Sequence, residues 1–257
     1  MIPEGLLAVL TMILWMGVKE MSEQQAIIKS MPSVETLGAM TVICSDKTGT
    51  LTKNQMTVVD ILSAEADSLE RIIDIMTNCQ DIKQTQTQTA KDLVGNPTEK
   101  ALLQYAEAFD RPLQPTITQL PFSAAYKYMA TLHPIQDQQQ KALLFVKGAP
   151  EVLLDQATLT DQEKQSWLER GTALASKGQR LIGFAYKEVA TDHDLTHASI
   201  SGLTFTGIAG IIDPPKESAI QAVKDCLQAR IQVKMITGDH ADTAQAIGKQ
   251  IGLKHTD

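Results

Sequence analysis

An apolar run that stops abruptly on an aspartate constrains the fold more than any other stretch of the sequence. The run 42–44 is followed by Ser45-Asp46 and then by the small and hydroxylated residues of 47–52. Short apolar runs of this kind are typical of buried parallel strands. Ligands of open α/β sheets bind at the carboxyl ends of such strands, so we expect Asp46 to face a crevice.

A carboxylate at a strand end is suited to nucleophilic attack on a phosphoryl group. Asp46 can form an aspartyl-phosphate if neighbouring groups offset the repulsion between two anions. Lys47 and the hydroxyls of Thr48 and Thr50 are suited to that task, as are backbone N–H groups freed by Gly49 and a bound Mg²⁺. The alternative, which an isolated Asp-Lys-Thr would favour, is an aspartate that caps a turn. The full run of seven residues at 46–52 favours a nucleophile over a turn cap.

A second predicted strand end carries groups that suit phosphate. The run 233–236 predicts a strand that ends on Thr237-Gly238-Asp239, directly before a helix predicted over 241–251. A helix N-terminus favours phosphate because its free N–H groups and its dipole attract anions. We expect a transferring phosphoryl group to be held here.

The N-terminal residues combine an apolar run with a proline, a carboxylate and a glycine. The charge-free run 5–18 has fourteen residues, fewer than the roughly 20 that cross a bilayer, and predicts half of a transmembrane span. Pro3 leaves carbonyl groups free, and Glu4 adds carboxylate oxygens, a set that suits a hard cation. The alternative is an ordinary helix start at these residues. Residues 19–30 predict a further helix that Pro32 ends.

The stretch between the two strand ends predicts an inserted domain. Asn96 and Pro97 predict a helix start, and Glu99 stands at the third position of a capping box. An apolar strand over 142–146 closes on Lys147-Gly148, where the glycine allows close backbone approach. The residues predicted to face inward on the helix are Ala101, Leu102, Tyr105 and Phe109.

Charge and cysteine content exclude one class of partner and indicate a compartment. With 23 basic and 30 acidic residues the net charge is −7, and no basic cluster with interleaved aromatic residues occurs. Nucleic acid is therefore not an expected partner. Cys44, Cys79 and Cys226 are far apart and predict buried, reduced thiols of a cytosolic compartment.

Several motifs, taken in order, resemble those of one family. They include Pro3-Glu4-Gly5-Leu6, Asp46–Thr52 (Asp-Lys-Thr-Gly-Thr-Leu-Thr), Lys147-Gly148-Ala149-Pro150-Glu151 and Thr237-Gly238-Asp239-His240. The chain is similar to the type II P-type cation-transporting ATPases, closest to their calcium-transporting branch. The resemblance implies an α/β fold: a partial haloacid-dehalogenase-like (Rossmann-like) phosphorylation domain with a large inserted α+β nucleotide-binding domain, preceded by part of a transmembrane helix.

The implied segments are a half transmembrane helix and stalk at 1–30, a phosphorylation domain at 31–57 and 207–257, and a nucleotide-binding domain at 58–206. ATP and Mg²⁺ are the implied cofactors, with Asp46 and Thr48 as magnesium ligands. Glu4 would bind the transported cation, Ca²⁺ being favoured. The protein would be integral to a membrane, in contact with the lipid bilayer, with its phosphorylation and nucleotide domains in the cytoplasm.

The resemblance also implies roles for individual side chains. The implied catalytic residues are Asp46, Lys47, Thr48, Thr237, Gly238 and Asp239. The implied nucleotide-binding residues are Glu99, Phe122, Lys127, Lys147, Gly148, Arg180 and Asp213. A phenylalanine face offers adenine a stacking platform, and lysine and arginine cations suit phosphate groups.

The sequence departs from the family's pattern at several positions. Ala124 and Ala125 replace polar or charged residues, and Lys216 stands where the family usually has arginine. The family's later lysine and its Gly-Asp-Gly-x-Asn-Asp magnesium segment do not occur. We therefore expect a pump fragment that binds ATP weakly and does not phosphorylate Asp46.

Three alternatives stay open at this point. The first is a pump for sodium, potassium or protons, because Glu4 is shared across type II pumps. The second is a soluble phosphoaspartyl phosphatase, which shares Asp46 and Thr237 but has no need for Pro3-Glu4-Gly5 or for an insertion of roughly 150 residues. The third is a nucleotide-binding module without catalysis.

Overall fold

The computed structural model describes residues 4–82, 95–135, 140–238 and 241–254. The helices are α1 (Glu4–Glu23), α2 (Pro32–Gly38), α3 (Ala66–Asn78), α4 (Pro97–Glu107), α5 (Pro150–Gln156), α6 (Asp161–Ala175), α7 (Glu217–Gln228) and α8 (Ala241–Gln250). The strands are β1 (Val42–Asp46), β2 (Thr57–Ser63), β3 (Thr118–Ser123), β4 (Tyr128–Pro134), β5 (Lys141–Gly148), β6 (Arg180–Ala190), β7 (Thr204–Ile212) and β8 (Gln232–Ile236). The predicted α/β class is confirmed.

These strands form two sheets. β1 and β8 pair in parallel, with Val42 opposite Gln232 and Asp46 opposite Ile236. The other six strands form an antiparallel sheet in the order β2-β7-β6-β5-β4-β3. Parallel strands need a long crossover connection, and here the crossover from β1 to β8 carries the whole antiparallel sheet.

The strand β1 is confirmed, but its predicted burial is wrong. Its side chains alternate between exposed and half-buried, and Val42 is 41% exposed. The reason is that, among the described residues, β8 is its only neighbour in the sheet. Cys44 is consequently exposed, whereas Cys79 is buried and Cys226 half-buried, and all three thiols are free.

The antiparallel sheet is covered on both faces. Successive side chains of a strand point to opposite faces, so β5 divides its apolar residues between two clusters. Leu143 and Phe145 pack in the cluster that contains residues of α3 and α4. Leu144 and Val146 pack in the cluster that contains residues of α5 and α6. Burial on both faces explains the near-continuous apolar run that predicted this strand.

The helix predicted to start after Asn96 is confirmed as α4. The Asn96 side chain accepts a hydrogen bond from the Thr98 N–H, and Pro97 occupies the first turn. Ala101 and Leu102 are buried as predicted, and Tyr105 packs partly buried against them. Phe109 is instead 42% exposed, because the helix ends at Glu107 and its inward stripe does not reach that residue.

The chain crosses between the two sheets at 52–56 and again at 213–216, and the two crossings are hydrogen-bonded to each other. The Thr52 hydroxyl donates to Asp213 Oδ2 over 2.6 Å, and the Gln55 N–H donates to Asp213 Oδ1 over 3.1 Å. The Lys53 N–H donates to the Pro214 carbonyl. Thr52 and Asp213 are both buried, so this junction is part of the packed interior.

The predicted end of the inserted domain at residue 206 falls inside β7. This strand pairs with β2 as far as Ile212, which lies opposite Thr57. It also pairs with β6, where Ile211 lies opposite Arg180. The antiparallel sheet therefore continues to Ile212, and the chain leaves it at Asp213.

The N-terminal segment differs from the prediction. α1 is one continuous helix of 20 residues, and Gly5–Glu23 is long and apolar enough to cross a membrane by length and composition. α1 ends at Glu23, just before Gln25 with its positive φ of 64°. The prediction that Pro32 ends a helix is wrong, since Pro32 begins α2. Proline is tolerated there because the first turn needs no N–H donor within the helix.

Candidate functional site

Asp46 and Thr237 lie at the ends of two neighbouring parallel strands. Asp46, the last residue of β1, lies in register with Ile236, the last residue of β8, and Thr237 and Gly238 come next. The side chain of Asp46 is exposed. The two parallel strands therefore end side by side, at the edge of the sheet where ligands of open α/β sheets bind. Asp239, the third member of the predicted phosphate-binding loop, lies outside the described residues.

A tight turn follows Asp46. Thr48 has φ −74° and ψ 120°, and Gly49 has φ 77° and ψ −15°, which are the angles of a type II turn. Glycine suits the second of these positions because a Cβ disfavours positive φ. The Gly49 N–H donates to the Thr52 hydroxyl over 3.4 Å, so the turn uses the N–H that was predicted to be free. Lys47 is buried, at 8% exposure.

Among the described residues, no cluster of metal ligands surrounds the predicted magnesium site. Within the described ranges, no group of three or more His, Cys, Asp or Glu side chains could hold a metal ion. Asp46 and Thr48 are exposed neighbours and supply only two oxygen-bearing side chains. Magnesium binding at Asp46 therefore stays a prediction.

A pocket of about 530 Å³ opens in the inserted domain, beside the antiparallel sheet. Side chains reach it from α4, from β3, from β5 and from β6. Five of the residues predicted to bind nucleotide line it: Glu99, Phe122, Lys147, Gly148 and Arg180. The structure thus brings together residues that are far apart in the sequence.

A buried ion pair lies in the wall of this pocket. Lys147 Nζ is 2.7 Å from Glu99 Oε1, and the two side chains are 5% and 13% exposed. The predicted capping box at Glu99 is wrong, because the carboxylate turns to Lys147 and, among the described residues, the cap is the Asn96 side chain. Neither Lys147 Nζ nor Glu99 Oε2 has a directed hydrogen bond to another described residue.

The other pocket residues present an aromatic face and a second cation. Phe122 is 57% exposed although it lies in a strand, so its ring is available to a ligand. Arg180 is exposed at the start of β6, and its Nη1 donates to the Thr98 hydroxyl over 3.3 Å. A pocket lined by an open aromatic ring and two cations is chemically suited to a nucleotide, since bases stack on rings and phosphates bind cations.

Gly148 has a structural reason to be glycine. A Cβ at this position would overlap the Lys127 carbonyl oxygen and the backbone of Tyr128. β5 and β4 pair at this point, where Tyr128 lies opposite Gly148. The close backbone approach that the sequence predicted is therefore made to the neighbouring strand.

Lys127 and Asp213 do not line the pocket. Lys127 lies in the turn between β3 and β4 with φ 58°, and its Nζ is 3.5 Å from Glu151 Oε1. Asp213 is buried at the crossing between the two sheets, where it accepts hydrogen bonds from Thr52 and Gln55. Both residues have protein partners, and a nucleotide contact by either one stays a prediction.

Comparison with known proteins decides the family. Residues 68–218 match the family model described as P-type ATPase, cytoplasmic domain N. That range is more than half of the chain. The chain belongs to the P-type ATPases. All the pocket-lining residues of this P-type ATPase, from Asp81 to Ile182, lie within the matched range.

Relatives of this P-type ATPase are similar to it over 98% of its length. It is 36% identical to Calcium-transporting ATPase 1 of Lactococcus lactis and 37% identical to Cation-transporting ATPase pma1 of Synechocystis. It is 32% identical to Sodium/potassium-transporting ATPase subunit alpha-4 of Homo sapiens. The chain spans about a third of the length of these relatives, at 31%, 33% and 29% respectively.

Sequence reasoning missed several pocket residues of this P-type ATPase. Ile182 follows Arg180 by two positions on β6, so the period of a strand places both on one face. Met129 lies opposite Lys147 in the register of β4 and β5, a pairing that local sequence does not reveal. Asp81 adds a carboxylate to the pocket, and its position after α3 carries no signal of that role.

Proposed function

We propose that this P-type ATPase binds ATP in the pocket and that Asp46 accepts the γ-phosphoryl group, a step that drives cation transport. The observation that carries the proposal is the convergence of four predicted nucleotide-binding side chains on one pocket: Glu99, Phe122, Lys147 and Arg180. The whole pump's activity is part of the proposal, because the chain spans about a third of its relatives' length.

In this proposal the two ends of ATP bind different groups of the pocket. The adenine stacks on the exposed ring of Phe122, which no described aromatic ring covers. Its exocyclic amine donates to Glu99, whose Oε2 lacks a partner among the described residues. Arg180 lies exposed at the rim and binds phosphate oxygens with its planar fork of donors. Lys127 joins them if the phosphates replace Glu151 as its partner.

We assign the phosphoryl transfer to the paired ends of β1 and β8. A carboxylate oxygen of Asp46 attacks the γ-phosphorus, the bond from that phosphorus to the β–γ bridging oxygen breaks, and ADP leaves. The product is an aspartyl-phosphate at the end of β1. Thr237, Gly238 and Asp239, which follow the neighbouring strand β8, hold the phosphoryl oxygens.

Lys47, Thr48 and magnesium complete the proposed phosphorylation site. Mg²⁺, when bound by Asp46 and Thr48, would neutralise charge on the transferring group. The turn at Gly49 fixes the backbone of Thr48, two residues after Asp46, and we assign its hydroxyl to the same group. Lys47 contributes its positive charge from a buried position beside Asp46.

The cation path is assigned to the N-terminal helix. α1 has the length and apolar composition of a membrane span, and its apolar side chains are exposed, as Leu7 is at 74%. We assign Glu4, at the start of α1, as a ligand of the transported cation. Ca²⁺ is the proposed ion, since two of the relatives most similar to the chain are named calcium-transporting ATPases. The phosphorylation and nucleotide-binding parts then lie on the cytoplasmic side.

The proposal is tested by labelling the full-length pump in membranes with ATP that carries ³²P at the γ position. We expect an acid-stable, hydroxylamine-sensitive label that Asp46→Asn abolishes and that Asp192→Asn, a change in an exposed turn, leaves intact. A label that persists in Asp46→Asn would contradict the proposed nucleophile. A label that requires Na⁺ rather than Ca²⁺ would keep the phosphoryl transfer and replace the proposed ion.

A further inference from the structure

Lys216 is in contact with the turn that follows Asp46. Its Nζ donates a hydrogen bond to the Gly49 carbonyl oxygen over 2.6 Å. We propose that Lys216 is a positioning residue for phosphoryl transfer, which holds the Gly49 peptide so that the turn presents Thr48 and Thr50 beside Asp46. The inference rests on the proposed function of Asp46.

The contact fixes the one residue of the turn that is freest to move. Gly49 has φ 77°, and glycine reaches many backbone conformations at little cost. Its N–H donates to the Thr52 hydroxyl and its carbonyl accepts from Lys216. With both of its polar groups engaged, the peptide planes that flank Gly49 have one favoured orientation.

Lys216 is itself anchored to the same loop. Its backbone N–H donates to the Leu51 carbonyl over 2.9 Å. The residue is also the N-cap of α7 and the last residue of the second crossing. The backbone of Lys216 is therefore already fixed against the loop at 47–51. The contact of its side chain with Gly49 needs no further ordering of the backbone.

A positive charge on a peptide carbonyl also changes the N–H at the other end of that peptide. Hydrogen bonds in a chain polarise one another, so the Lys216 ammonium on the Gly49 carbonyl makes the Thr50 N–H a stronger donor. Charge-assisted hydrogen bonds are also stronger than neutral ones. Lys216 thus acts on the reaction through the loop rather than by touching the phosphoryl group.

The contact is tested first on the 257-residue chain, with Lys216→Met, Lys216→Arg and the matched control Lys224→Met, an exposed lysine on the same helix. The readout is the ¹³C resonance of the Gly49 carbonyl. We expect an upfield shift in Lys216→Met, and the parent value in Lys216→Arg and Lys224→Met. An unchanged resonance in a folded Lys216→Met protein would overturn the contact.

The consequence for the reaction is tested on the full-length pump. Lys216→Met should slow phosphoenzyme formation at saturating ATP about tenfold or more, with the KM for ATP unchanged and the rate restored by Lys216→Arg. A raised KM at an unchanged maximal rate, or no effect at all, would overturn the positioning role. A parent pump that forms no phosphoenzyme overturns the proposed function, while the carbonyl resonance still decides whether Lys216 holds Gly49.

Discussion

Lys147 on β5 and Glu99 on the first turn of α4 form a buried ion pair, with Nζ and Oε1 2.7 Å apart in the wall of the pocket. The pair still has unused hydrogen-bonding capacity, at Lys147 Nζ and at Glu99 Oε2, within the described part of the chain. Burying such groups costs free energy that a ligand with matching donors and acceptors offsets. We therefore expect a bound nucleotide to use the free hydrogen-bonding capacity of this pair.

Removal of Lys147 alone should destabilise the protein, because it leaves the Glu99 carboxylate buried without a cation. We expect Lys147→Met to lower the free energy of unfolding by roughly 3 kcal/mol. The double variant Lys147→Met/Glu99→Gln should lose less, since no uncompensated charge is left. Urea unfolding of the parent, both single variants and the double variant measures the coupling. A double variant that is less stable than Lys147→Met would contradict the pairing.

Gly148→Ala should destabilise the pairing of β4 and β5. The added Cβ would meet the Lys127 carbonyl and the Tyr128 backbone, which cannot move without disturbing the sheet. We expect a loss of about 1–3 kcal/mol in the free energy of unfolding. Gly38→Ala is the matched control, because no atom lies within 4 Å of a Cβ there. Equal thermal unfolding temperatures for Gly148→Ala and Gly38→Ala would contradict this expectation, because they would mean that β4 shifts without loss of stability.

Stability should fall at acid pH because of His133. Its Nδ1 lies 3.1 Å from the Pro115 carbonyl and must donate, so its Nε2, 2.8 Å from the Thr131 hydroxyl, accepts. Burial lowers the pKa of His133 from its usual value of 6.5. The folded state then binds fewer protons than the unfolded state, and this part of the stability is intact above pH 6.5 and lost as the pH falls below it.

The expected slope from His133 is at most about 1.4 kcal/mol per pH unit. His133→Gln should remove it, since glutamine does not titrate. Urea unfolding of both proteins between pH 7.5 and pH 5 measures the difference in slope. Parallel curves for the parent and the variant would contradict the assignment of this pH dependence to His133.

Thr52→Val should loosen the junction between the two sheets. The Thr52 hydroxyl donates its one proton to Asp213 Oδ2, and its loss leaves a buried carboxylate one donor short. We expect about 2 kcal/mol of destabilisation and faster hydrogen exchange at the Lys53 amide, which bonds to the Pro214 carbonyl across the junction. Thr52→Ser keeps the hydroxyl and should behave as the parent. Protection of Lys53 that survives in Thr52→Val would contradict this role.

Much of the fold was predictable because its signals are local. The strand that ends at Asp46, the Asn96 cap and the apolar run of β5 each follow from a few neighbouring residues. The inward face of α4 was predicted correctly as far as Tyr105. The prediction that Phe109 faces inward was wrong because the helix ends before it, at Glu107.

The site was less predictable because its decisive contacts join distant residues. Glu99 satisfies the pattern of a capping box, yet a lysine from another element is the stronger partner for a carboxylate that the fold buries. The contact of Lys216 with Gly49 depends on where the chain returns from the antiparallel sheet, which no local pattern encodes. The turn that directs Lys127 to Glu151 is likewise set by the pairing of β3 with β4.

The most direct test of the nucleotide pocket is isothermal titration calorimetry of ATP with the 257-residue chain and its variants. Phe122→Ala, Lys147→Met and Arg180→Ala each remove one of the predicted nucleotide-binding side chains of the pocket, and Lys141→Met, an exposed lysine at the other end of β5, is the control. The proposed site predicts one ATP per chain, affinity lowered about tenfold or more by each pocket variant, and no change for the control. A folded parent that binds no ATP, or binding that all three pocket variants leave unchanged, would contradict it.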